Sequence, residues 1–576
     1  MAIKSTADKV ATIQKGYTFE GPTIELGAAI VDGEVYKEAP VRLPLAMMNR
    51  HGLVAGATGT GKTVTLHMMA EQLSAAGVPV FLADIKGDLS GLATAASGSE
   101  KLLARTAGIG QAWSGKTFPV EFLALGGDGN GIPVRATVTS FGPILLSRIM
   151  ELNDTQESSL QLVFHFADKN DLELIDLKDL RAVIQFLTSA EGKDALEELG
   201  GLSKSTAGVI LRELITLEAQ GMEKFFGEPE FDTAELMRTA QDGRGVIYCL
   251  ELPTLQTKPM LFSTFLMWLL ADLFEELPEA GDLDKPKLVF FLDEAHLLFN
   301  GASKAFLEAI TTTVRLIRSK GVGIFFVTQT PRDVPAEVLG QLANRVQHAL
   351  RAYTPEDAKA LKATVSTFPM SDYDLAETLT SAGIGEAVVT VMNENGAPTP
   401  VALTRLRAPE SVMGPSADAL VSSTVAGSAL LPKYGTAVDS VSAFEKISGR
   451  TPTGAGAADP ARVPGGGTAD GTADVGSAAD VDAEARRIEE DILGRPSSRP
   501  APAPERQEPP RQEPRRQEPR RETPRTSQRR SADDGVAGDL ADALGGGLKS
   551  MARSLGTQLG RELLRGVFGT ASKRRR

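Results

Sequence analysis

The chain has 576 residues, room for one or two large folded units with appendages, and its single cysteine, Cys249, excludes an internal disulfide framework and a four-thiolate zinc site. The net charge of −13 argues against a nucleic-acid partner only as an average: residues 481–576 hold 21 Lys and Arg against 15 Asp and Glu, a net +6, leaving 40 against 59, a net −19, in the remainder. An acidic body with a basic tail does not choose among DNA, RNA, a membrane surface and an acidic protein.

Residues 1–48 start without an apolar signal core, and TIELGAAIVDGEVYKEAPVRLPL within them reads as a small β element of a few antiparallel strands. HGLVAGA (51–57), VPVFLAD (78–84), GVIYCLEL (245–252), LVFFLDE (288–294), GIFFVTQ (323–329), HALRAY (348–353) and EAVVTVM (386–392) are short and apolar on both faces, as strands buried on two sides should be. They predict a largely parallel α/β sheet, in two parts over 49–139 and 241–430. Between these parts, 140–240 is helical in pattern, with PILLSRIMELND, SSLQLVFHFADK, LKDLRAVIQFLT and GVILRELITLEAQ apolar at three and four spacing, and reads as an inserted helical subdomain. LFSTFLMWLLADLF (261–274) falls short of the roughly 20 apolar residues that cross a bilayer, so no membrane span and a cytoplasmic protein are expected. From 440 to 536 Ala, Gly, Pro, Arg and Glu dominate and a unit of the form RQEPR repeats, which predicts a disordered linker. Over 537–576 Leu548, Met551, Leu555, Leu559, Leu563 and Leu564 return helical spacing before a SKRRR terminus. That basic amphipathic helix has three open uses: docking on its own body, docking on a sister subunit, or contact with DNA or a membrane.

Gly56-Ala57-Thr58-Gly59-Thr60-Gly61-Lys62-Thr63 fits GxxxxGK[ST] after a strand and before a helical run, the context in which inward N–H groups and a helix N-terminus cradle phosphates. Gly56, Thr58, Gly59, Thr60, Gly61, Lys62 and Thr63 are the nucleotide-binding candidates, with Lys62 on the β and γ phosphates and the Thr63 hydroxyl on Mg2+. Asp293, ending LVFFLDE, is the second metal candidate, and Glu294 beside it is placed to polarise a water for attack on the γ phosphate, which favours hydrolysis. Asp84 ends an intervening strand and either reaches the site or caps a turn. Gln329 ends another, as a γ-phosphate sensor or an ordinary strand-end amide. Arg315 and Arg318, three apart on one helix, are candidate arginine fingers for a neighbouring subunit, with Arg345 and Arg351 as further arginines near a strand. Asp168-Lys169-Asn170-Asp171 lacks the first residue and the strand-end setting of a guanine-reading box.

HGLVAGATGTGKT, LVFFLDEAHLLF, RSKGVGIFFVTQTP and ANRVQHALRAYTPED together resemble the HerA and FtsK group of P-loop ATPases, nearest to bacterial HerA-like proteins, over about residues 10–410. The resemblance implies a RecA-like α/β core, ATP and Mg2+ as cofactors, a hexameric ring that moves double-stranded DNA, and a nuclease partner. It assigns Lys62 and Thr63 to the Walker A pair, Asp293 and Glu294 to the Walker B pair, and Gln329 to the sensor. The reading is a Mg-dependent ATPase motor on DNA; the alternatives are a nucleotide-switched interaction protein and a motor acting on polypeptide.

Overall fold

The computed structural model describes residues 5–125, 129–198, 201–252, 259–300, 302 and 304–449. The expected linker from 450 onward and the C-terminal helix over 537–576 lie outside these residues.

Helix α1 (Thr6–Gly16) is closed by a reciprocal capping box of Ser5 and Asp8 and precedes a hairpin of β1 (Thr23–Val31) and β2 (Glu34–Pro44). Strand β3 (Gly52–Ala55) runs through the glycine loop into α2 (Lys62–Ala75), followed by β4 (Val80–Asp84), α3 (Glu100–Gly108), β5 (Val120–Leu125) and β6 (Ile132–Val134). Five helices come next: α4 (Val138–Ile149), broken at Gly142-Pro143, then α5 (Asp154–Lys169), α6 (Leu177–Thr188), α7 (Lys193–Glu198) and α8 (Lys204–Ala219). The chain then continues as β7 (Ile247–Glu251), α9 (Pro259–Glu276), β8 (Leu288–Leu292), α10 (His296–Phe299), α11 (Lys304–Ile317), β9 (Val322–Thr328), α12 (Ala336–Leu339) and β10 (Asn344–His348). Helices α13 (Pro355–Val365) and α14 (Leu375–Ser381), strands β11 (Glu386–Thr390) and β12 (Ala402–Leu406), and helices α15 (Asp418–Gly427), α16 (Leu431–Tyr434) and α17 (Ala443–Ser448) complete it.

All strands join one twelve-stranded sheet in the order β2-β1-β12-β11-β10-β3-β9-β8-β4-β7-β5-β6. The eight strands from β10 to β6 are parallel, and β11, β12, β1 and β2 extend the sheet antiparallel. This is a RecA-like core: β9 lies between β3, which carries the glycine loop, and β8, which carries the two acids. The parallel strands are apolar throughout because helices cover both faces. Phe290 on β8 faces one apolar cluster with α4–α6, α8, α9 and α11, while its neighbour Phe291 faces the other with α1 and α2. The greasy stretch at 261–274 is α9, its Trp268 buried at 5.9 Å from Phe225 and 6.1 Å from Phe265 between ring centroids. Among the described residues no helix is long and apolar enough to cross a membrane.

Four features differ from the sequence reading. The segment before β1 holds α1, because Ser5 and Asp8 cap it and Val10 and Ile13 bury its inner face. The strand expected at 348–353 lies at 344–348: Asn344 donates to Met47 O and His51 O, and Gln347 to Ala55 O, so these buried polar groups are satisfied in a strand whose composition hides it. Strands β5, β6 and β12 were not expected. Finally, 443–448, inside the stretch read as linker, is α17: Phe444 N and Ser442 Oγ donate to Asp179 on α6, and Lys178 pairs with Asp439 at 2.9 Å.

Candidate functional site

The parallel register brings the carboxyl ends of β10, β3, β9, β8 and β4 to one edge of the sheet. Ala55 pairs with Thr328 and Gln347, and Leu292 pairs with Phe326 and Ala83. The loop after β3 is pinned by Gly56 N to Thr328 O (3.2 Å), Ala57 N to Ala349 O (2.9 Å) and Gly385 N to Thr60 O (3.1 Å). Gly61 at φ +114° caps α2 in a conformation that disfavours any side chain. At Gly56 a Cβ would sit 2.4 Å from that of His348. The loop therefore needs its glycines, one for backbone shape and one for close approach to β10.

Within the loop the candidates divide. Thr58 and Gly59 are exposed at the tip, Thr63 is half-buried at the start of α2, and the Thr60 hydroxyl turns inward to Ala57 O at 2.7 Å. Lys62 is buried, its Nζ 2.8 Å from Gly56 O and 3.3 Å from Ala57 O. Burial pushes its ammonium below the ordinary value, opposed by the charges of Glu294 and Asp293. Beneath the loop His348 is fully buried, with Nε2 2.9 Å from the Thr65 hydroxyl. Burial, then the Lys62 charge, holds it down at about 4, so it stays neutral.

Asp293 and Glu294 are both buried at the end of β8. Burial pushes the Asp293 carboxyl up to about 6, with Lys86 opposing, and its Oδ1 accepts from Glu294 N at 2.8 Å. Glu294 has φ +47°, the left-handed region, where a non-glycine residue costs on the order of 1 kcal/mol. Its Oε1 pairs with Lys86 Nζ. Its Oε2 has no hydrogen-bond partner among the described residues, although His296 Nδ1 lies 3.3 Å away in poor alignment. Lys86 was missed in the sequence because LADIKGDLSG shows only a lysine in a turn; the pairing of β4 with β8 is what carries it to Glu294. Asp84 takes the turn-capping role, accepting from Gly87 N at 2.7 Å and Leu89 N at 2.9 Å.

Gln329 is exposed immediately after β9, between the loop strand and the acid strand. Arg315 and Arg318 are exposed at the C-terminal end of α11, which enters β9 from its opposite end, so seven strand residues, roughly 20 Å, separate them from this chain's own loop. Arg345 is spent locally, donating to Thr367 Oγ1 at 2.6 Å, while Arg351 is exposed beyond the end of β10.

A metal fits this edge: Asp293 keeps a carboxylate oxygen beyond the one held by Glu294 N, and Thr63 presents a hydroxyl from the first turn of α2. Among the described residues no group of three or more His, Cys, Asp and Glu gathers to hold an ion. That suits a cation held by one or two protein oxygens together with phosphates.

No curated protein matches the sequence. Among solved structures the chain is similar to the bacterial conjugative coupling protein TrwBdeltaN70 in its unbound form (15% identity, TM-score 0.45, covering 71% of this chain and 95% of that one). It is also similar to the plasmid coupling protein TrwB in complex with ADP and Mg2+ (16%, 0.44, 69% and 97%) and to VirB4 of Thermoanaerobacter pseudethanolicus (14%, 0.42, 68% and 97%). The helicase HerA-like C-terminal family profile matches residues 30–494, and with the glycine loop, the acid pair and the strand order in place, the chain belongs to that family.

Proposed function

We propose that this protein is a cytoplasmic, ring-forming motor that hydrolyses ATP with Mg2+ to move or remodel DNA. The observation that carries the reading is the buried set of Lys62, Asp293 and Glu294 beside a glycine-shaped loop, with Glu294 Oε2 accepting no hydrogen bond among the described residues and His296 Nδ1 3.3 Å from it. Gly56, Thr58, Gly59, Gly61 and Lys62 receive the phosphates, Lys62 bringing charge to the β and γ groups. Thr63 and Asp293 hold Mg2+, which neutralises phosphate charge when bound. Glu294 Oε2 takes a proton from a water as the water oxygen bonds the γ phosphorus and the bond to the bridging oxygen breaks, leaving ADP and inorganic phosphate. Gln329 senses the γ phosphate from the neighbouring strand end. Arg315 or Arg318 serves a neighbouring protomer's site, since both lie far from their own. The known TrwB complex with ADP and Mg2+ agrees in ligand class; a nuclease partner is part of the same family expectation.

Glu294→Gln is expected to lower ATP turnover at least 100-fold while leaving ATP binding intact. Duplex DNA at low salt is expected to bind and raise wild-type turnover, and light scattering to show a ring with ATP and Mg2+. Turnover that ignores DNA removes the motor on DNA in favour of a nucleotide-switched interaction protein or a motor on polypeptide. A monomer under all conditions favours the switch.

A further inference from the structure

We propose that Lys86 is the positioning residue for Glu294, holding Oε1 so that Oε2 is the oxygen presented to the attacking water; this rests on the reading of Glu294 as the base. A glutamate side chain ordered in one geometry gives up rotamer freedom, and a base out of place is a base lost. Glu294 starts from a strained backbone at the end of β8 and needs a partner from another element. Lys86 supplies it from the turn after β4, the strand next to β8 on the side away from β9.

The turn is built to present that lysine. Asp84, fully buried at the end of β4, closes it by accepting from Gly87 N and Leu89 N, both just after Lys86 in sequence, and Gly87 takes φ +75°. A Cβ at Gly87 would meet nothing within 4 Å, so glycine is there for chain direction and not for room. Asp293 and the half-buried Asp88, whose Oδ1 lacks a hydrogen-bond partner among the described residues, also act on Lys86, so three acids face it and the ion pair is made to Glu294. Lys62 does not compete for Glu294, because its ammonium is committed to the loop carbonyls of Gly56 and Ala57. The two lysines thus divide the work: Lys62 stays with the phosphate loop and Lys86 with the base.

The test uses the full chain with saturating Mg2+ and DNA, comparing Lys86→Ala, Lys86→Arg, Glu294→Gln and the double variant Lys86→Ala/Glu294→Gln, with melting curves to confirm folding. For Lys86→Ala we expect kcat to fall 10- to 100-fold while KM and the Kd for a fluorescent ATP analogue stay within about threefold. Lys86→Arg should recover most of the loss, and the double variant should turn over no slower than Glu294→Gln alone. An unchanged kcat, or losses that multiply in the double variant, would overturn the proposal. So would weakened ATP binding at constant kcat, which would make Lys86 a phosphate ligand. Glu294→Gln turning over like the wild type would instead remove the base itself and the proposed function with it.

Discussion

Asp84 and Asp293 end adjacent, paired strands, β4 and β8, both almost fully buried and both pushed by burial up to about 6. By burial and acidity they are twins. What separates them is where their lone pairs go: both oxygens of Asp84 accept backbone N–H groups of its own turn, whereas Asp293 gives one oxygen to Glu294 N and keeps the other. A displaced carboxyl pKa therefore marks desolvation, and the hydrogen-bond ledger decides whether the group shapes a turn or holds a ligand.

The sharpest way to break the comparison is Asp293→Ala. It is expected to lower ATP turnover at least 100-fold and remove the Mg2+ dependence of nucleotide binding, with a melting temperature no lower than that of the wild type, since a desolvated charge is removed. Steady-state turnover, nucleotide titration with and without Mg2+, and calorimetry read the three parts. Asp84→Ala should cost less in turnover, about tenfold, acting through the displaced Lys86.

Its effect on stability depends on pH. The folded carboxyl near 6 lies above its ordinary value of 3.8, so the native state binds the extra proton between them, and stability falls as pH rises from about 4 to about 6 and stays lower above. The shift corresponds to about 3 kcal/mol. Near pH 7 the loss of two charge-assisted hydrogen bonds, about 1.5–3 kcal/mol each, is partly or wholly offset by removal of that cost, so the variant should be within about 3 kcal/mol of wild type. At pH 4.5 the wild type should gain stability that the variant lacks, read as the difference between their urea midpoints at the two pH values.

The smallest effect is expected from Ser442→Ala, which removes the hydroxyl that joins Asp179 on α6 to Glu445 on α17. A loss of about 1 kcal/mol with unchanged turnover would show that this clasp serves stability alone.

Much of the site was legible in the chain because its logic is local. Loop spacing, the apolar run into Asp293 and the acid after it each occupy a few consecutive residues, and the chemistry of phosphate binding demands them together. Arg315 and Arg318 were visible as a pair, yet only the direction in which α11 enters β9 showed that they lie at the opposite edge from their own loop. Strand β10 was displaced by four residues in the reading because Asn344 and Gln347 look like loop residues until their buried partners are known. Helix α17 was hidden in a composition typical of linkers, its single turn and a half stabilised by the Asp179 carboxylate it meets on α6.

By itself, the sequence determined the candidate residues for phosphate and metal and the alternation of buried strands with helices, because glycine conformation, charge and apolar period act over a few neighbouring positions. Tertiary structure decided the rest: that β9 lies between loop and acid, that His348 underlies the loop, and that Lys86 crosses from β4 to Glu294. The loop and the acid pair, the loop and His348, and Lys86 and Glu294 are each more than 200 positions apart, and only the register of parallel strands brings such residues to one edge.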